Sequence, residues 1–245
     1  MYEYNPSEFT FKSYKRLIDI AKRRFEFADY SSIYGKDRFL LLRHDIDFSL
    51  EHAVNIARIE KDMSVRSTFF IHLHNEFYNA LDSYSLQIMK EILSLNHSIG
   101  LHFDIHYYDI KKLEQLTYWL DFEKSILESI LNIKIQVFSF HNTNEFTMSF
   151  EDDSYAGMTN TYSHYFKNEV DYCSDSNGYW RYRKLEEVLL DENINKLQVL
   201  LHPGWWTEHE MLPREKVVDY ASKRMNSSIS NYDQALIHYG RLNLG

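Results

Sequence analysis

The chain has 245 residues, with 36 acidic against 27 basic side chains and a formal net charge of -9 when histidine is neutral. A chain of this length can bury roughly 70% of its unfolded surface around one core, so we expect a single domain over 1–245 that needs no disulfide or structural metal to fold. The acidic balance and the lack of a basic tract exclude a surface made for phosphate backbones, and with it nucleic acid as a partner.

One cysteine, Cys173, excludes an intrachain disulfide framework. The first stretch, MYEYNPSEFTFKSYKRL, lacks the apolar core of a secretory signal, and no apolar run nears the roughly 18 residues of a membrane span, so a cytoplasmic protein without a span is expected. Phe11, Tyr14, Leu17, Ile18, Ala21 and Phe25 recur at helical spacing and predict a helix over 11–26. FLLL (39–42) reads as a strand buried on both faces and runs into RHDID. Ser49 stands where an N-cap belongs, and Leu50, Ala53, Val54, Ala57 and Ile59 continue as a helix. Alternation then predicts a strand over 67–73, a helix over 86–95, a strand over 97–101, a helix over 110–131 and a strand over 135–140. After a loop through 151–153 come strands over 170–174 and 197–201 and helices over 185–190, 213–225 and 232–238, with Pro213 in a first turn. Strands alternating with helices imply a parallel sheet, and no glycine-rich phosphate loop follows any strand, which favours an α/β barrel over a nucleotide-binding open sheet.

Polar chemistry collects just past the strand ends, where α/β barrels build their sites. FLLL leads to His44, Asp45 and Asp47, HSIGL to His102 and His106, and IQVFSF to His141 and Asn142; VDYCS leads to Asp175 and LQVLL to His202. His102 and His106, four apart, share a face if the segment is a helical turn and can grip one cation together. The Asp45/Asp47 pair then offers one carboxylate to the ion and one as base, and an Asp/His/His site with an open position suits hydrolysis. His202 is placed to protonate a leaving group, and Asp175 to orient it. Arg181 suits a carboxylate, either a substrate group or the base Asp45, and Arg43 is an equal candidate for the base. Trp180, Trp205 and Trp206 are sugar-stacking faces if exposed and packing if buried. His44, His72 and His74 read as structural, and Cys173 as a small apolar strand residue.

Over 38–206 these motifs resemble the polysaccharide deacetylases, the family 4 carbohydrate esterases, in a divergent branch marked by HDxD. The resemblance implies a distorted (β/α)7 barrel that uses one divalent metal ion, usually Zn2+, to remove N- or O-linked acetyl groups. HDID resembles the first motif, which makes Asp45 the catalytic base and Asp47 a metal ligand, and NHSIGLHFDIH the second, whose two metal histidines fall on His102 and His106. LLHP resembles the motif of the general acid, His202, and SDS with WR the motif in which Asp175 pairs with that histidine. Two departures stand out: Phe103 replaces a Ser or Thr, and FSFHNT replaces the motif whose arginine steadies the base, so that arginine must come from elsewhere. The expected activity is removal of an acetyl or similar acyl group from an amino sugar of a polysaccharide or its precursor. Backbone N–H groups near His141 and Asn142 would complete an oxyanion site, and Trp180, Trp205 and Trp206 would line the sugar. Two other readings fit the same residues: a hydrolase of a non-sugar C–N bond, and a catalytically silent glycan-binding barrel.

Overall fold

The structure is a computed structural model and describes residues 4–245. β1 (Phe39–Ile46), β2 (Thr68–Ile71), β3 (Ser98–Phe103) and β4 (Val137–Phe140) are joined through α2 (Leu50–Asp62), α3 (Ser83–Ser94) and α4 (Leu113–Leu131), and α1 (Phe11–Lys22) precedes them. After α5 (Glu145–Met148) a short hairpin, β5 (Ser154–Tyr155) and β6 (Met158–Asn160), leads to α6 (His164–Asn168), β7 (Asp171–Ser174), α7 (Leu185–Leu190), β8 (Lys196–Leu201) and α8 (Pro213–His238). The eight strands lie in the order β5-β6-β4-β3-β2-β1-β8-β7. Every ladder is parallel except β5 with β6, so seven strands run one way.

The sheet curls into a distorted barrel. The period of two along each strand sorts side chains to its two faces. Leu40, Leu42, Phe69, Ile71, Ile99, Leu101 and Phe138 pack outward among residues of the helices. Phe39, Leu41, Phe70 and Val137 point inward and meet Tyr30, Ile33, Phe166 and Val170. Gly100 is required on that inner face: a Cβ there would lie 2.7 Å from the Phe70 ring and 3.0 Å from the Val137 carbonyl. Among the described residues no ladder joins β7 to the β5–β6 edge. Side chains bridge this seam instead: Arg43 donates to Thr161 Oγ1 at 3.0 Å, and Gln198, which accepts from Tyr30, donates to the Thr161 carbonyl at 3.4 Å.

Local signals account for most boundaries. Thr10 and Ser49 cap α1 and α2 by accepting from the N–H groups of Ser13 and His52. Three expectations change. The strand predicted over 39–42 continues to Ile46, because Arg43, His44 and Asp45 are buried and pair in register with Thr68, Phe69 and Phe70. The helices predicted over 213–225 and 232–238 are one, Pro213–His238: the intervening Asn/Ser stretch lacks an apolar face but contains no Gly or Pro to stop a helix. The β5–β6 hairpin and the short α5 and α6 were not anticipated, since two- to five-residue elements carry too little periodicity to read. No helix among the described residues is long and apolar enough to cross a membrane.

Candidate metal centre

The inner face carries on past the core as a polar layer at the carboxyl ends of the strands. From β1 it presents Arg43 and Asp45, with Asp47 just beyond; from β3 it presents His102, from β4 Ser139 and His141, and from β8 His202. His44, one residue out of phase, faces the helices, where its Nε2 meets Glu60 at 2.8 Å and its ring stacks on Phe69. A cavity of about 210 Å³ opens over this layer, lined by Asp45, Asp47, His102, His141 and His202 among others.

Three ligand atoms converge in it. His102 Nε2 lies 3.1 Å from Asp47 Oδ1, His141 Nδ1 lies 3.1 Å from His102 Nε2, and His141 Nδ1 lies 3.5 Å from Asp47 Oδ1. Donors held about 2.0–2.1 Å from one ion at tetrahedral angles stand about 3.3 Å apart, so these three match the edges of a tetrahedral site. Supporting bonds hold both imidazole rings. His102 Nδ1 meets Ser139 Oγ at 2.7 Å, and a hydroxyl that accepts the ring proton there leaves Nε2 open. The Asn142 side-chain amide donates to His141 Nε2 at 2.9 Å and holds that ring in place. Burial works against ionisation of Asp47, but the imidazoles of His202, His102 and His141 outweigh it and hold the carboxyl well below the usual carboxylate range.

His106, expected as the second histidine of the centre, is not in this cluster. β3 ends at Phe103 and a turn follows, so the shared face of an i, i+4 helical pair does not arise; the His106 ring donates to the Asn142 carbonyl at 3.2 Å. His141, expected to contact substrate, takes the place beside Asp47 and His102.

Asp45 is paired with Arg43, not Arg181. Arg43 Nε and Nη2 donate to Asp45 Oδ1 and Oδ2 at 3.2 and 2.6 Å, and the two side chains are 0% and 2% exposed. The guanidinium also donates to Tyr162 and lies between the rings of Phe70 and Tyr162. Burial raises the Asp45 pKa, yet Arg43, His102 and His202 bring the net shift below the ordinary value, so the carboxylate stays ionised.

On the far side of Asp47, His202 Nε2 lies 3.6 Å from Oδ2. Asp175 accepts from the His202 backbone N–H at 2.9 Å and from Nδ1 at 2.7 Å, and it accepts a third bond from the Trp206 indole at 2.8 Å. Burial disfavours the imidazolium, but Asp47, Asp175 and Asp45 outweigh it and hold His202 at about 9, charged at neutral pH with Nε2–H facing the cavity.

The aromatic expectations divide. Trp180 and Trp206 are 5% and 0% exposed and pack with Phe9, so their faces are closed to a sugar. Trp205 is half-buried, edge-on to Phe48. The His141 N–H, proposed from sequence for an oxyanion, is spent on the Phe103 carbonyl at 2.8 Å as β4 pairing continues. Cys173 is buried and its thiol is pushed up to about 12, first by burial, as an inert strand residue requires. His72, read from the sequence as structural, lies beside the cluster. Its ring sits 4.5 Å from that of His141 and 5.8 Å from that of His102, and its buried Nε2 has no partner among the described residues. Period-two phase with Phe70 was the available signal.

No family model matches the sequence, and comparison with curated proteins finds no relative. Solved structures do resemble it. A family 4 carbohydrate esterase pseudoenzyme from Bacillus anthracis aligns at 16% identity and TM-score 0.44, over 79% of this chain and 62% of that one, so the chain spans less than two thirds of that protein. An esterase of the same family from Streptococcus mutans aligns at 14% and TM-score 0.47, over 88% and 90% of the two chains. Another family 4 esterase from Bacillus anthracis aligns at 14% and 0.46, over 84% and 85%. Likeness at this level assigns no role to any residue; the side-chain geometry of the chain itself has to do that.

Proposed function

We propose that residues 1–245 form one catalytic domain, a metal-dependent hydrolase that removes an acetyl or similar acyl group from an amino sugar, as the sequence resemblance implies. The observation that carries this is the meeting of Asp47, His102 and His141 between an arginine-paired carboxylate, Asp45, and a carboxylate-paired imidazole, His202.

The donor set fits a divalent cation of the zinc kind. Two imidazole nitrogens and a carboxylate oxygen face one another with their other ring nitrogens already engaged, an arrangement that needs a cation or a proton at its centre. A divalent ion held there supplies a lowered pKa for water and polarisation of the acyl oxygen. The protein's own groups do the rest. Asp45, ionised and locked by Arg43, is oriented to take the proton of an attacking water. His202, charged and oriented by Asp175, delivers a proton from Nε2 to the departing amine or alkoxide. Trp206, by bonding Asp175, keeps that carboxylate from rotating away from His202.

Elemental analysis of the purified protein beside His102→Ala, with acetate release measured on N-acetylated amino sugars, tests the proposal. Stoichiometric divalent metal, its loss in the variant, and an Asp45→Asn protein that keeps metal without turnover are expected. Full turnover in Asp45→Asn, or metal-free protein that hydrolyses the sugars, would end it. Burial of Trp180 and Trp206 closes two of the three aromatic faces that a silent glycan-binding barrel would use.

A further inference from the structure

The barrel seam holds a second cavity. Between β7 and the segment after β6 lies a cleft of about 370 Å³ whose walls include Thr161, Phe166, Val170, Ser174 and Gln198. It meets the smaller cavity over the metal centre: Thr143, Tyr162, Tyr172, Ser176 and Arg181 line both. A molecule whose acyl group sits at Asp47 therefore has space to continue along the seam, past hydroxyl groups suited to sugar oxygens.

The charges of this cleft are unbalanced. No aspartate or glutamate is among its lining residues. It has two cations, and Lys167 is already paired with Glu151 at 2.8 Å. Arg181 is exposed, makes no ion pair among the described residues, and has only the ring of Tyr182 against its guanidinium at 5.7 Å. Sequence left it two tasks, steadying Asp45 or binding a carboxylate of the substrate. Arg43 performs the first in full, with two bonds to Asp45. A guanidinium free at the junction of two cavities, with its planar fork of donors, matches a carboxylate or phosphate.

We infer that the seam cleft receives a part of the substrate bearing an anionic substituent, and that Arg181 is the specificity-determining residue that binds it. The inference rests on the acyl-hydrolase reading for what occupies the neighbouring site.

Its test is calorimetric titration of the metal-loaded protein with three sugars that carry no acyl group and so report binding alone: methyl glucoside, its 6-phosphate and its 3-O-carboxymethyl ether. Wild type should bind at least one anionic sugar about 10- to 100-fold tighter than the neutral one, the size of a charge-assisted pair. Arg181→Gln should cut that advantage to within about threefold, and Arg181→Lys should restore part of it, since lysine keeps the charge but not the fork. Whichever anion shows the Arg181-dependent advantage identifies the substituent. Equal binding of neutral and anionic sugars by wild type, or an advantage that persists in Arg181→Gln because the anion sits on the metal, overturns the inference. Failure of the acyl-hydrolase reading would appear elsewhere, as absence of acetate release from acetylated sugars while the Arg181-dependent difference remains.

Discussion

Arg43→Met breaks the most buried ion pair in the site, and its cost follows from the geometry. The guanidinium and the Asp45 carboxylate have 0% and 2% of their side-chain surface exposed and share two hydrogen bonds, so removing the cation strands a carboxylate that is almost wholly buried. Losing one partner of such a pair costs about 3–5 kcal/mol, a large share of the roughly 5–15 kcal/mol that holds a typical domain folded. Thr161 and Tyr162 lose a donor at the same time, and the seam loses a bridge. Removing the stranded charge as well, in Arg43→Met with Asp45→Leu, should recover about 2 kcal/mol or more of that loss, because apolar replacement of a whole buried pair is close to neutral. Urea unfolding of wild type, both single variants and the double variant, all stripped of metal by chelator, gives the coupling energy directly. A double variant no more stable than Arg43→Met would show that the cost lies in packing against Phe70 and Tyr162, and the electrostatic reasoning would fall.

Three further outcomes are expected. His141→Ala should weaken metal binding by at least about 100-fold, beyond the usual effect of losing a supporting group, whereas His106→Ala should shift it less than tenfold; competition with a chromophoric chelator reads both, and the reverse order would restore the i, i+4 pair. Glu60 is buried where it accepts from Tyr14 and Ser67 and meets His44; burial raises its pKa, but His44, His97 and Ser67 bring it net below the usual carboxylate value. A depressed folded pKa contributes stability above about pH 4.3 that disappears as pH falls through the folded value, so Glu60→Gln should destabilise at pH 7 and progressively less toward pH 3; a pH-independent difference in melts would contradict this. Gly204→Ala would place a Cβ 2.3 Å from the Phe48 ring, next to the turn that carries His202, and should cost about 1–3 kcal/mol and lower turnover; a wild-type melting temperature would mean that the ring moves freely.

Much of the scaffold was legible because its signals are local. Alternating apolar strands and capped helices, set by Ser49 before α2 and Pro213 at the start of α8, need only a few neighbouring residues to declare themselves. The same reading put Asp45, Asp47, His102, His141, Asp175 and His202 at strand ends, and the structure gathers them around one cavity or directly behind it.

Which of them touch was a different matter. Whether His106 or His141 stands beside His102 depends on parallel pairing of β3 with β4, where His102 is in register with Ser139 and His141 follows two residues on. Whether Arg43 or Arg181 serves Asp45 depends on phase along β1, which puts Arg43 and Asp45 on one face, and on closure of the seam that brings Thr161 and Tyr162 to the same guanidinium. Trp180 and Trp206 became packing once Phe9 folded against them. Composition and periodicity determined the elements and the end of the sheet at which polar groups gather, since those depend on spacings of two to four residues. Sheet curvature and register, set by contacts between segments tens of residues apart, decided which side chains meet an ion, which arginine holds the base and which is left for a ligand.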